Sequence, residues 1–277
     1  PGNFNLSFNA TQSAVSYSLK ALLDPEMPNN SGIFDAIDIS IPKGSFLNCV
    51  APASVALRAN TCQRVVDVVF GAFCDVLPET VIGAANGANT SAVFSGINPK
   101  NGSRYVYLET LGGGMGGRFN KDGKDGVQVH ITNTSNLPVE AIEMEYPLRV
   151  EEYALVQNSG GAGKHRGGLG IRRTIRPINH ECEFAGVGER FRHSPWGVFG
   201  GGAGKPGQFY LEDLKKGKTK LVSKCSGVKL NEDMKVIMET PGAGGYGNPK
   251  DRDKEKIEED ISSEKFTKDI LEKLYNM

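Results

Sequence analysis

Residues 109–145 read ETLGGGMGGRFNKDGKDGVQVHITNTSNLPVEAIEME. The stretch leaves a short strand-like run, enters a glycine loop, crosses a charged turn and ends at a proline-marked acidic corner. Seven glycines fall between Gly112 and Gly126, interleaved or followed by Arg118, Asp122, Asp125 and His130. Glycine lets the backbone turn sharply and approach other groups closely, so titratable side chains here meet unusually permissive chain. Val127–Thr134 alternates, which predicts a strand with Gln128, His130 and Thr132 on the face opposite Val129 and Ile131. That polar face could line a pocket, with Asp125 and Glu140 bracketing it to orient His130 or hold a cation. A solvated or hydrogen-bonded structural histidine fits the same pattern. Arg118, Arg166 and Arg190 each stand within glycine-bounded sequence, where a guanidinium fork can meet an anion.

Before this stretch, PGNFNL reads as an extended lead-in and Thr11–Leu23 as a helix, with Thr11 or Ser13 as its cap. Ile33–Ile41 alternates as a strand. Asn60–Leu77 is the second helix, capped by Thr61 and striped by Val65, Val66, Val69, Phe70 and Phe73. Small residues from Val81 to Gly96 fit a loop or a strand closely approached by other backbone, and Tyr105–Leu108 is a strand. Beyond residue 150, Ile171–Pro177, Glu183–Val187, Gln208–Leu211 and Lys235–Glu239 are short strands between glycine turns. Residues 251–277 are charge-rich, and space Ile257, Ile261, Phe266, Ile270, Leu271 and Leu274 as one or two amphipathic helices. The fold class is α+β: a mixed, glycine-turn-rich β-sheet body, two helices in the N-terminal half, and a C-terminal helical tail. Its regions are 1–98 (helix and strand), 99–250 (β-rich with glycine turns) and 251–277 (tail).

One internal echo stands out. Glu109-Thr-Leu-Gly-Gly-Gly-Met-Gly-Gly117 matches Glu239-Thr-Pro-Gly-Ala-Gly-Gly-Tyr-Gly247 at five of nine positions. Two similar strand-to-turn junctions explain it, as does a duplicated ligand-facing loop. Gly112, Gly114 and Gly117 spell the dinucleotide fingerprint, as do Gly242, Gly244 and Gly247. The fingerprint needs a following helix to receive the pyrophosphate. RFNKDGKDG and NPKDRD start none, so the reading is rejected. GGAGKH at 160–165 and GAGKP at 202–206 lack the spacing and the Ser or Thr of a P-loop.

The chain has 277 residues, long enough to bury roughly three quarters of its unfolded surface. Its 32 basic and 32 acidic residues give no net field to draw nucleic acid or an anionic membrane. No apolar run spans a bilayer, and the first ten residues lack a secretory pattern. Five scattered cysteines without a CxxC pair argue for reduced thiols and a cytoplasmic setting. Cys62 stands near a helix start, where a thiol is either activated or simply packed. The four histidines form no HxH or HExxH pattern, so no helix-borne metal site is expected.

Together, ETLGGGMGGR, the run from Lys121 to Tyr153, NSGGAGKHRGGLGIRR, ERFRHSPWGVFGG and METPGAGGYGNPKDRD resemble the hydantoinase B/oxoprolinase family. The similarity covers about residues 1–252 and leaves the tail outside. It implies a B-type subunit of an ATP-dependent, multi-subunit hydrolase acting on C–N bonds of cyclic amides. ATP and Mg would sit on a partner A-type subunit of the actin-like ATPase class. Family members are about twice this length, so a separate chain is expected to supply the N-terminal half, including any divalent metal and its ligands. In that frame Arg118 would meet an oxyanion or phosphoryl group, while Asp125 and His130 would orient or move a proton. The alternatives are a subunit of a ketone carboxylase of the acetone/acetophenone type, or a structural assembly subunit.

Overall fold

The computed structural model describes residues 2–275; Pro1 of the lead-in and Asn276 and Met277 of the tail lie outside it. Helices α1 (Phe8–Leu23), α2 (Ser31–Asp35) and α3 (Arg58–Ala72) precede strands β1 (Thr90–Ile97) and β2 (Arg104–Leu111). A short α4 (Val139–Glu145) leads to β3 (Leu148–Leu155), β4 (Ile171–Pro177), β5 (Cys182–Val187), β6 (Gln208–Asp213), β7 (Gly217–Leu221), β8 (Lys224–Leu230) and β9 (Met234–Glu239). Helices α5 (Lys254–Ser262) and α6 (Lys268–Tyr275) close the described chain. The α+β class holds.

The strands form two sheets, ordered β2-β1-β5-β8 and β3-β4-β9-β6-β7, with every ladder antiparallel. Alternate residues of each face inward. Phe94, Tyr107 and Phe184 of one sheet share a core with Ile175, Phe209 and Met238 of the other. That interleaving makes a β-sandwich. Phe184 and Phe209 meet edge to face across it, with centroids 6.1 Å apart. A second core joins α1 and α3 through Leu22, Val66 and Phe70. A third docks the tail on the body, with Phe266 and Leu271 packed against Ala162 and Leu169.

Between these cores lies a layer built of backbone. The segment 240–247 runs through its centre and bonds to four neighbouring stretches. Gly114 and Gly117 donate to the carbonyls of Pro241 and Gly244; Gly242 and Gly245 donate to those of Lys205 and Gly202. Gly161 donates to Ala243, whose own N–H meets Gly168, and Gly244 donates to Ala84. The spacing of three along each pair is that of an extended three-residue-per-turn helix, whose N–H groups point outward to neighbours rather than along the chain. Buried backbone polar groups must be paired, and here they pair laterally. The rods lie too close for side chains. A Cβ on Gly244 would stand 1.8 Å from the Trp196 carbonyl oxygen, and one on Gly116 would stand 1.7 Å from that of Gly83.

The echoed motifs are thus neighbours, bonded side by side and parallel, each continuing from a strand end. Their glutamates anchor to adjacent residues of β4. Arg173 pairs with Glu109 in the sandwich interior, and Arg172 pairs with Glu239 at 2.7 Å. The strand-to-turn reading is the one the fold supports.

Four expectations need correction. The PGNFNL lead-in is not simply extended, since Gly2–Phe4 form a short 3-10 turn. Ile33–Ile41 is not a strand: Asn30 caps α2 by accepting from Gly32 N–H at 2.9 Å, and Ile37, Ile39 and Ile41 continue as irregular chain that joins no strand. Their alternation survives as half-buried against exposed, but alternation supplies no partner strand. Val127–Thr134 is not a strand either, apart from a single bridge from Gly113 to Val127. Gln63 of α3 draws this backbone away, donating to the Val129 carbonyl and the Thr132 hydroxyl. Nor do Thr11 and Thr61 cap helices. α1 begins at Phe8 and α3 at Arg58, and both hydroxyls instead donate to carbonyls, Leu47 at 2.6 Å and Phe4 at 2.6 Å.

The backbone layer makes a specific prediction. Gly244→Ala should lower stability by about 3 kcal/mol or more, and Gly202→Ala, whose new methyl would meet nothing nearer than 3.3 Å, by about 1 kcal/mol or less. Urea midpoints of the two variants measure the difference; equal losses would contradict the close-packed layer.

Candidate functional site

Helix α3 carries a buried polar stripe beneath its apolar one. Asn60, Gln63 and Asp67 recur at helical spacing and are all buried. Asn60 accepts from Asn89 N–H at 2.8 Å, while Gln63 reaches Asn89 and Thr132. Asp67 receives His130 Nε2 at 3.2 Å and Arg190 Nη2 at 2.5 Å. Both partners sit in the left-handed region, His130 at φ 53° and Arg190 at φ 55°. Side chains there cost energy that surrounding structure must offset, and such residues gather at functional sites. His130 is walled by rings, its centroid 5.4 Å from Phe70 and 6.2 Å from Tyr17.

Asp67 and Arg190 also line a cavity of about 470 Å³ between α3, the 188–196 loop and the start of β8. Arg64, Arg190, Arg192 and Lys224 oppose only Asp67 and Glu189 there, leaving an excess of two positive charges in a chain with none overall. His193 and Trp196 complete the wall. Burial and the Arg190 charge depress the Arg64 pKa, against the pull of Asp67 and Glu189. Burial pushes the Asp67 carboxyl up, but hydrogen bonding and charge from His130 and Arg190 outweigh it and hold Asp67 below the usual range. A larger groove of about 650 Å³ between α1 and α2 holds Lys20 as its sole charged residue. The ionised cavity is the better candidate for chemistry.

The sequence-predicted residues do not converge there. His130 reaches the cavity through Asp67 without lining it. Asp125 holds Arg166 at 2.8 Å, Lys265 at 3.4 Å and the Leu169 N–H at 2.9 Å. Arg118 donates to the Asp122 carbonyl at 2.7 Å. Asp122 and Asp125 instead belong to an ionic clamp with the tail. Arg252 grips Asp122 through both nitrogens at 2.8 and 3.0 Å, and Arg252 and Arg166 share Asp260 of α5 at 2.7 and 2.9 Å. Of the three arginines with fork potential, Arg190 faces the cavity and Arg166 serves the clamp. Sequence reasoning misses Asp67 and Arg64, because the apolar stripe of α3 hides an acid whose only signal is its helical register with Asn60 and Gln63. Cys62 is buried within α3, which pushes its thiol up rather than activating it. Among the described residues no three metal-ligating side chains converge, and no helix is long and apolar enough to cross a membrane.

An antiparallel sandwich with a glycine-backbone layer and a charged cavity at its helical face defines the architecture; comparison supplies the family. The sequence profile described as hydantoinase B/oxoprolinase matches residues 1–249, and the chain belongs to that family. An uncharacterised protein of Methanocaldococcus jannaschii is 40% identical over 95% of this chain and 45% of its own length. A putative B-type subunit of a D-/L-hydantoinase from a Pseudomonas species is 34% identical over 87% of this chain and 40% of its own. The crystal structure of an ATP-dependent caprolactamase from Pseudomonas jessenii superposes with a TM-score of 0.88 at 22% identity, over 99% of this chain and 49% of that one. The last likeness concerns the fold. The chain spans somewhat under half the length of these relatives.

The depressed pKa of Asp67 fixes the sign of a pH effect. Its contribution to stability is fully present above the unfolded carboxylate value of about 3.9 and is lost as pH falls through the lower folded value. Melting temperatures of wild type and Asp67→Asn should therefore converge on acidification below about pH 4. A gap that stayed constant or widened would contradict the assignment.

Proposed function

We propose that this chain forms part of the B-type subunit of an ATP-dependent enzyme that opens cyclic amides, working with an ATP-binding A-type subunit. Family membership over residues 1–249 carries the reading. The Pseudomonas relative named for a hydantoinase and the neighbour titled an ATP-dependent caprolactamase support it. ATP and Mg belong to the partner subunit, and a further polypeptide segment supplies the rest of the B-type subunit with any metal it holds. ATP gives its γ-phosphoryl to the amide oxygen and leaves as ADP, which turns a poor electrophile into a good one. Water adds to the carbon, the ring C–N bond breaks as the new hydroxyl's proton passes to nitrogen, and a second water hydrolyses the resulting acyl phosphate to carboxylate and phosphate.

In this scheme the present chain contributes preorganised charge. The cavity cations face the oxygen on which negative charge accumulates, and fixed donors in a partly dry site stabilise such charge without reorganising. His130 is a positioning residue, holding Asp67 and through it Arg190. Asp125 and Arg118 act at greater remove, by fixing the charged turn and the tail against the glycine layer.

The assembled complex tests this directly. Ring opening should depend on ATP and not on bicarbonate; a bicarbonate-dependent carboxylated product would favour the ketone-carboxylase alternative. His130→Ala should lower kcat by about 10²-fold, with KM for ATP unchanged and the complex intact. Unchanged turnover would remove His130 from the mechanism.

A further inference from the structure

Glu189 lies between two cations of the cavity. Its carboxylate is 2.7 Å from Lys224 Nζ and 3.7 Å from Arg64 Nη2, and its side chain is 20% exposed. The same three residues also line a second cavity of about 340 Å³, bounded by Phe4, Phe46 and Asn60. The Arg64–Glu189–Lys224 bridge therefore partitions two adjoining spaces. Behind it Arg190, only 5% exposed, already gives Nη2 to Asp67, yet its Nε finds no hydrogen-bond partner among the described residues. A buried donor left unpaired costs free energy, so the Arg190 guanidinium keeps hydrogen-bonding capacity that Asp67 and the Ser194 carbonyl do not use. Gly87 makes the convergence possible. A Cβ there would stand 2.6 Å from Arg64 Nη1, 2.8 Å from Arg190 Nε and 3.0 Å from Asp67 Oδ2.

We infer that this cavity binds a phosphoryl dianion, and that Glu189 is an internal counter-ion occupying the Arg64–Lys224 pair until the ligand displaces it. The excess of two positive charges matches a phosphoryl group better than a single carboxylate. Arginine forks and a lysine point charge are the side chains suited to its oxygens. Glu189 keeps the cations paired in the free protein, where an uncompensated cluster would repel itself. Its carboxylate makes no ion pair or hydrogen bond beyond Arg64 and Lys224 among the described residues, so a ligand that takes over that pair breaks no other contact of Glu189. The identity of the phosphoryl group as that of an activated amide rests on the function proposed above; the anion site itself does not.

Calorimetric titration of the full chain with inorganic phosphate, and separately with acetate, reads the site without turnover. Phosphate should bind at least about tenfold more tightly than acetate, and Arg64→Ala or Lys224→Met should weaken phosphate by about tenfold or more. Glu189→Gln, which keeps shape and removes the competing charge, should tighten it by about fivefold or more. Acetate binding as well as phosphate would replace the phosphoryl assignment with a carboxylate site. Phosphate affinity indifferent to all three substitutions, in variants with native circular dichroism, would overturn the inference. A complex inert toward cyclic amides but with this phosphate pattern would sink the proposed function and leave the anion site standing.

Discussion

Close lateral contact between glycine backbones is the constraint on which the rest of this structure depends. Hydrogen bonds from 240–247 to 84, 114–117, 161–168 and 202–205 fix segments drawn from most of the chain. Because no side chains intervene, each rod's position is set by N–H to O=C geometry rather than by packing of apolar groups. That placement delivers the functional parts. Ala84–Asn89 leaves the layer to meet the polar stripe of α3, Trp196 accepts from Ala84 N–H before the cavity wall is complete, and Gly87 opens the space where Arg64 and Arg190 converge.

Charge is handled differently at the two ends of this layer. On the tail side, Arg166 and Arg252 meet Asp122, Asp125 and Asp260 in a network where most charges have a partner of opposite sign. Breaking such a buried network by removing one member leaves an uncompensated charge, a loss of several kcal/mol, on the order of 3–5. At the cavity, cations outnumber carboxylates and two of the residues that hold the cluster adopt left-handed backbone. The first arrangement is suited to permanence. The second leaves binding capacity in reserve.

Much of this is readable in sequence, for identifiable reasons. β4 is legible to its ends, Ile171–Pro177, because glycine before it and proline at its close bound a short run with Ile171 and Ile175 on one face. The helical state of the tail follows from periodicity alone, which leaves open whether it is one helix or the two observed. By contrast β7 (GKTKL) carries almost no apolar signal, being exposed on both faces, and its strand state comes from pairing with β6. The glycine rods are visible as composition but not as structure, since their partners lie up to about 160 residues away in the chain and no local pattern encodes a lateral hydrogen bond. The site is half legible. Arg190 is marked by its glycine-bounded setting, whereas Asp67 looks like an ordinary polar position until His130 and Arg190 are brought against it. His130 itself draws notice for a strand face that the chain never forms.

On the face where the two rods meet, the same backbone bond recurs every three residues, so that face alone would accept a shift of three; Met115 and Tyr246 project from the rods elsewhere, into the helical core. Alignment must therefore be imposed from outside, and the echoed segments are pinned at both ends. Before the rods begin, Glu109 and Glu239 are fastened to consecutive arginines of β4; after they finish, Asp122 and Arg252, which follow the first and second rod, clasp each other. The charged residues thus act as registration marks for a lattice that cannot index itself. Loss of one pin would first be felt as misalignment, with the rods still bonded but offset and the cavity assembled out of step.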